Sequence, residues 1–422
     1  MLARLLLLLL FVAAPQPASA QVAVADSGDT GWMMVCALLV LLAALPGLAL
    51  RHAGMVNVRS ALAVVTQGVA VAAGVSLAWA IAGYSLAYAP GNGWLGGGAN
   101  LLLGGLGSLR EGLTVPESAF VLFQMSLAML AAGLLPGAVA ERARIGWIAC
   151  FAPLWLLIVY APVAHWVWGG GWLAQLGVMD FAGGLVIHVS AGFSALVLAV
   201  ILGRRRVATD PGHAPVLSLA GGALMWVGWA GIVGGWALGA TDDAASAILN
   251  THFAACAGAI GWMLVDRLAS GRVKPTGALS GALTGLVAIS ASAALVGTGG
   301  AMLIGLAGAI VCRAGKALVG RRIDDAADVF VIHGLGGLTG LLLLPIFVHP
   351  ALGGVGFDAG ISLTGAMLSQ LIGIVIVGLW AVVGSAILAL LLSIVLPMRG
   401  SAQEEAEGLD AVQHGQQGWD FR

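Results

Sequence analysis

The sequence predicts an all-α polytopic membrane protein with eleven transmembrane helices, arranged as a five-plus-five inverted repeat followed by a long last helix. Three observations carry this prediction. First, the 422-residue chain is 60% hydrophobic and 9% charged, against roughly 25% charged residues in a soluble domain. It lacks the polar surface to face water on all sides. Second, the apolar residues fall into eleven separate runs, most of them close to the ~20 residues a bilayer span needs. Third, Lys and Arg are confined almost wholly to alternate connections between those runs.

The first twenty residues read as a signal peptide: Arg4 supplies the positive start, Leu5 to Phe11 the apolar stretch, and Ala18-Ser19-Ala20 a small-residue cleavage site. An uncleaved first helix is the alternative; the short run and the prolines at 15 and 17 count against it. From Gln21 the mature chain is expected to begin outside the cytoplasm of a bacterial inner membrane. Spans are expected near 32–50, 60–83, 117–139, 145–165, 180–202, 215–239, 245–266, 275–296, 299–315, 328–348 and 364–396. The last exceeds a bilayer's thickness, so it should tilt or project. With the mature start outside, the inner connections hold Arg51 and Arg59, Arg142 and Arg144, Arg204 to Arg206, Arg267, Arg272 and Lys274, and Arg313, Lys316, Arg321 and Arg322. The outer connections hold only Arg110. A miscounted helix would scramble this alternation, so the tail from 398 to 422 is expected in the cytoplasm.

Two segments repeat. Residues 180–188 read DFAGGLVIH and residues 325–333 read DAADVFVIH, each with an Asp eight residues before a Val-Ile-His. They fall in helices five and ten, which run in opposite directions because five is odd. That defines two units, about 32–202 and 215–348, of inverted topology, an architecture that puts the substrate site at the repeat interface near the bilayer midplane. Chance likeness in a chain rich in Ala, Gly and Val is the plainer explanation; the matched helix position counts against it.

His188 lies about eight residues into helix five, roughly 12 Å along its axis, and His333 lies as deep from the other side. Ionisable groups at that depth are costly and functional by default. Burial disfavours imidazolium, and a neutral pair offers both a donor and an acceptor, which suits a small neutral molecule or a proton relay. Two unrelated histidines bonded to helix backbones are the bland alternative. A metal or haem site would need further ligands, and none stands at a suitable spacing. Asp180, at the outer start of helix five, fits an N-cap or an indirect attraction for a cation. Trp168 in HWVWGGGW could bind a cation on its face; Trp166 and Trp172 read as interfacial anchors. The cysteines Cys36, Cys150, Cys256 and Cys312 form no Cys-x-x-Cys pair and read as small core residues. Net charge is −1 with no basic tract, which argues against nucleic acid. Without a nucleophile, metal cluster or phosphate loop, neither an enzyme nor a cofactor is expected.

These residues also resemble a known pattern. DFAGGLVIHVSAG at 180–192 is similar to the signature of the ammonium transporter (Amt/Mep/Rh) family, bacterial Amt type. The likeness extends to AHWVWGGGW at 164–172, FQ at 123–124, GAVAER at 137–142, DVFVIHG at 328–334, GGVGF at 353–357 and EGLDAVQHG at 407–415. The resemblance implies a homotrimer with one pore per subunit. It implies that His188 and His333 are the twin pore histidines, that Asp180 and Trp168 belong to the outer recruitment vestibule, and that Phe123 is the outer gate residue. Ammonium would be recruited outside and deprotonated, ammonia would cross the apolar pore, and the proton would follow by a relay. The tail residues Glu407, Gly408, Leu409 and Asp410 would engage a cytoplasmic PII-type nitrogen regulatory protein.

The chain also departs from that pattern. Leu127 stands at the second gate phenylalanine, Ile232 in GWAGIV at the inner aromatic position, Trp236 at the recruitment serine, and His52 at a tyrosine near the end of helix one. Two outcomes are open for Trp236: it binds a cation opposite Trp168, or it blocks the vestibule. His52 either joins the proton relay or caps an inner helix end. His252 has no family counterpart and reads as a packing residue. The leading expectation is an ammonium transporter. The alternative is an ammonium sensor that binds without conducting and signals through a partner.

Overall fold

A computed structural model describes residues 25–207, 212–358 and 360–419; the expected signal peptide lies outside them. Among the described residues, ten helices are long and apolar enough to cross a membrane. They are α1 (Ser27–Met55), α2 (Val58–Tyr88), α3 (Glu117–Ala138), α4 (Ile145–Gln175), α5 (Gly184–Leu202), α6 (Pro215–Trp236), α7 (Asp242–Ser270), α9 (Thr298–Val319), α10 (Phe330–Phe347) and α11 (Leu363–Val395). The remaining expected span, α8 (Pro275–Ser290), has 16 residues. Local chemistry sets many ends. α6 and α8 start on a proline, whose missing N–H is no loss in a first turn. Thr241 and Ser362 cap α7 and α11 with their hydroxyls. α7 stops at Gly271, whose φ of +70° suits a left-handed helix end.

The helices pack α1 against α6 and α3, α5 against α10 and α11, and α7 against α8 and α9. Small residues allow this. A side chain at Gly192 of α5 would overlap the backbone of Gly334 in α10, so the two histidine helices touch through bare backbone. The 33-residue α11 turns Leu368, Leu371, Val375, Leu379 and Val383 outward, an apolar stripe at three- and four-residue spacing. Its 33 residues exceed the ~20 that a bilayer span needs, as the sequence led one to expect. Cys36 and Cys312 are buried as expected, but Cys150 is exposed and Cys256 half-buried. His252, expected as packing, is exposed on α7 with its ring 5.6 Å from that of Trp226. These three residues correct the core reading: in a uniformly apolar helix, sequence does not distinguish the inward from the outward face.

One end of the bundle carries the basic residues and is tied by ion pairs. In the segment GAVAER, Glu141 bonds Arg205 at 2.7 Å, and Arg142 donates to the carbonyls of Ala138, Gly203 and Asp324. Burial acts to raise the Asp324 carboxyl, but its bonds from Arg205 outweigh it and hold it below its ordinary value.

The tail folds back onto this end as α12 (Ala402–Glu407) and α13 (Leu409–His414). Glu404 pairs with Arg144, and Glu405 with Arg399 and Arg206. Asp410 is buried and accepts the backbone N–H groups of Leu62 and Ala63 at 3.1 and 2.7 Å, capping the first turn of α2. Gly408 has φ +98°, and a side chain there would strike Arg59. Of the four expected partner-binding residues, Leu409 and Asp410 are therefore turned into the protein, and Glu407 is exposed. Asp410→Ala is expected to weaken this dock by about 1–2 kcal/mol, the usual cost of losing a cap. Limited proteolysis should then cut beyond Arg399 several times faster than in wild type; an unchanged rate would show that the ion pairs alone hold the tail.

Candidate functional site: a histidine pair between a tryptophan-rich end and a charged cavity

Asp180 and Asp325 position the two histidines. The Asp180 carboxylate accepts four backbone N–H groups, from Gly183, Gly184, Leu185 and Val186, at 2.6–3.0 Å. Asp325 accepts those of Val329, Phe330 and Val331. Each aspartate thus caps the helix that carries its histidine. Both histidines sit in π-helical turns, Gly184–Val189 and Phe330–Leu335, a geometry common at functional sites. The two segments that repeat in sequence share these local features.

The histidines meet. His188 Nδ1 and His333 Nδ1 lie 3.3 Å apart, and both rings are buried. Trp229 of α6 lies across the pair, nearly parallel to both rings, with centroids 5.2 Å from His188 and 6.4 Å from His333. Ser290 orders the protons. Its hydroxyl donates to Leu286 O at 2.7 Å and accepts from Trp229 Nε1 at 2.9 Å; His188 Nε2 is 3.3 Å away. With its one hydrogen committed, Ser290 can only accept from His188. For neutral rings, His188 therefore carries its proton on Nε2. Its Nδ1 then accepts from His333 Nδ1–H, and His333 Nε2 is left with a free lone pair. The pair has a direction, with an acceptor facing away from Ser290. Sequence reasoning missed Trp229 and Ser290. Trp229 stands inside the quoted GWAGIV, but the partnership is set by three helices meeting.

On one side of the pair lies a tryptophan-rich end. Phe123, Leu127 and Ile232 are all fully buried. Phe123 meets Trp236 edge-to-face at 6.2 Å. Trp236 lies against Trp168, with ring centroids 4.1 Å apart, and Trp168 Nε1 donates to the carbonyl of Asp180. At 4.1 Å the two indoles are in contact, so no ion fits between them. Trp236 Nε1 is buried without a partner among the described residues. Trp166, expected as an anchor, is instead buried in a cluster with Trp94, Trp172 and Trp380.

On the other side lies a cavity of about 410 Å³ lined by Arg51, Ser280, Asp325, Asp328 and Lys316 among others. His52, one residue beyond Arg51, is buried with its imidazole over Gly137, where any side chain would collide with the ring. It makes no hydrogen bond among the described residues. Arg51, counted from the sequence as a loop residue, is inside α1 and 3% exposed. Among the described residues, no cluster of His, Cys, Asp and Glu could hold a metal ion.

The profile of the Ammonium Transporter Family matches residues 31–419. The chain is 40% identical to an ammonium transporter of Bacillus subtilis, over 93% of this chain and 98% of that one. It is 40% identical to a putative ammonium transporter of Methanothermobacter thermautotrophicus, with the same coverage. Among solved structures it is similar to a Sensor Amt Protein (TM-score 0.86, 26% identity, 92% of this chain and 98% of that). It is also similar to Candida albicans Mep2 (TM-score 0.83, 32% identity, 90% and 88%). On the profile and these relatives, this chain is a multi-pass membrane protein of the ammonium transporter family and is not an enzyme.

Proposed function

We propose that this protein conducts ammonia through the His188–His333 pair, after recruiting ammonium at the tryptophan-rich end, which faces the periplasm. The observation that carries the reading is the 3.3 Å contact between the two imidazoles. Buried neutral rings offer a donor and an acceptor but no counter-charge, so a small neutral amine passes far more cheaply than an ion. Asp180 acts here through the helix it caps, and Phe123, Leu127 and Ile232 form the apolar gate. The Arg-rich end faces the cytoplasm of a bacterial inner membrane, in keeping with the charge distribution. An eleven-span inverted repeat with α8 as its short eighth member fits the paired caps and π turns. A homotrimer fits the exposed His252: an imidazole within a span is costly against lipid and is expected to be covered by a neighbouring subunit. The docked tail, with Glu407 at its surface, is the natural place for a PII-type regulatory protein. The proton stripped from ammonium follows by a relay through the histidine pair, which offers both a donor and an acceptor.

The test is an ammonium jump on proteoliposomes, reading internal pH and current together, with His188→Ala alongside. His188→Ala is expected to lower the flux about tenfold, equivalent to ~1.4 kcal/mol of barrier. A wild-type protein with neither flux nor current above empty vesicles would end the transport reading. One observation favours a sensor instead: Trp236 fills the space beside Trp168. Ammonium-dependent binding of a cytoplasmic partner, without flux, would establish that alternative.

A further inference from the structure

The connection from α6 to α7 carries a strained residue close to Trp236. Trp236 is the last residue of α6, and residues 237–241 lead from it to Asp242. Among them Leu238 has φ +59°. That left-handed conformation is costly for any residue with a side chain and persists only where the surroundings impose it. Here two residues of α1, one turn apart, impose it. Trp32 donates from Nε1 to the carbonyl of Gly234 at 2.9 Å, just before Trp236. Asp29 accepts the backbone N–H of Ala240 on Oδ1 at 2.8 Å, just after it. The other oxygen of Asp29, Oδ2, accepts the hydroxyl of Thr114 from the connection between α2 and α3 at 2.5 Å. Glycines admit these contacts. A side chain at Gly239 would overlap the Asp29 carboxylate, one at Gly234 would meet Trp32, and one at Gly235 would strike Phe123. Trp236 is therefore held between two points fixed to α1. The outer of the two is a single half-buried carboxylate.

We infer that Asp29 is a latch on the outer end: its carboxylate holds the strained 237–241 connection down on α1 and so keeps Trp236 against Trp168. Asp29 makes no hydrogen bond to either indole among the described residues, so it is a positioning residue that acts through Trp236. Without an acceptor at position 29, the exposed Ala240 N–H turns to water. The connection then relaxes Leu238 toward an ordinary conformation, and the end of α6 follows it. The Trp32 bond remains one turn back, which confines the change to the mouth. Opening of such a segment, rather than passage through the pore, can set the rate of turnover. The inference rests on the transport reading above.

The experiment reads initial lumen alkalinisation after an ammonium jump, with full-length protein in liposomes carrying an internal pH dye. The variants are Asp29→Ala, Asp29→Leu, Asp29→Asn, and Asp29→Ala combined with Trp236→Ser. Alanine and leucine both lack an acceptor, and using the two guards against one failing to fold. Each is expected to raise the rate about fivefold, as release of a gate does. Asp29→Asn keeps an oxygen for the Ala240 N–H and is expected to restore the wild-type rate, which separates the hydrogen bond from the charge. Added to Trp236→Ser, Asp29→Ala is expected to change nothing further, because the ring it positions is gone. A merely structural Asp29 would leave the rate unchanged or lower it in Asp29→Ala and Asp29→Leu, and that outcome overturns the inference. So does a double variant faster than Trp236→Ser alone, which would place the action elsewhere. An Asp29→Asn rate equal to that of Asp29→Ala overturns it too, by assigning the effect to charge. All three outcomes leave the transport reading standing. Absence of flux in wild type and in every variant overturns the transport reading and the latch with it.

Discussion

Asp180→Ala is expected to destabilise the folded protein by about 3–5 kcal/mol, since it strips partners from several buried donors at once. The carboxylate is 8% exposed and accepts four backbone N–H groups of the first turn of α5. These are the orphan donors that every helix start must satisfy, and their burial beneath Asp180 keeps them from solvent. The melting midpoint of the purified protein is the measurement, with yield of folded material beside it. Asp180→Asn retains an acceptor oxygen and should lose less. That variant also separates the two roles read from the sequence. Normal melting with weakened ammonium recruitment would assign the charge a direct part in binding. Weakened melting with proportionate loss of flux would leave Asp180 as a cap that aims His188.

Trp236→Ser is expected to raise ammonia flux about tenfold, equivalent to removing ~1.4 kcal/mol of barrier. In the structure Trp236 is wedged between Phe123 and Trp168, its indole in contact with the second at 4.1 Å between centroids. Truncation to serine empties that volume and exposes the face of Trp168, on which ammonium can then rest. Its buried, unpartnered Nε1 means that no hydrogen bond is lost with the ring. The assay is initial lumen alkalinisation at several ammonium concentrations. A higher rate at unchanged half-saturation would identify Trp236 as a gate. A weaker half-saturation with no gain in rate would identify it as part of the binding surface and remove the blocking role. Unchanged values on both counts would show that the indole moves aside in every cycle.

Several particular features were legible in the residue order. The apolar runs are separated by charged connections, and the helix bounds follow those runs closely, from 117–139 against Glu117–Ala138 to 364–396 against Leu363–Val395. The repeated spacing placed a histidine at depth in each of two segments and a cap at Asp180, and that cap is present; the matching cap at Asp325 came from the structure. Spacing works here because an N-cap acts within one turn of its own helix. The cysteine and His252 readings fared worse. Orientation around a helix is read from an apolar stripe, and in a span that is apolar all round the stripe vanishes.

By itself, then, the sequence determined that this chain crosses a membrane many times, which histidines lie at depth, and which family it belongs to. These are properties of composition, of local spacing and of short motifs. Tertiary structure alone decided that Ser290 and Trp229 set the proton positions of the pair, that Trp236 lies on Trp168, and that Asp410 turns inward to cap α2. It also decided that Arg51 stands buried inside α1 rather than in a loop. Each of these is a contact between helices far apart in the chain, set by close backbone approach at glycines such as Gly192. A position's neighbours across such an interface depend on how two helices cross, and no local rule of sequence carries that angle.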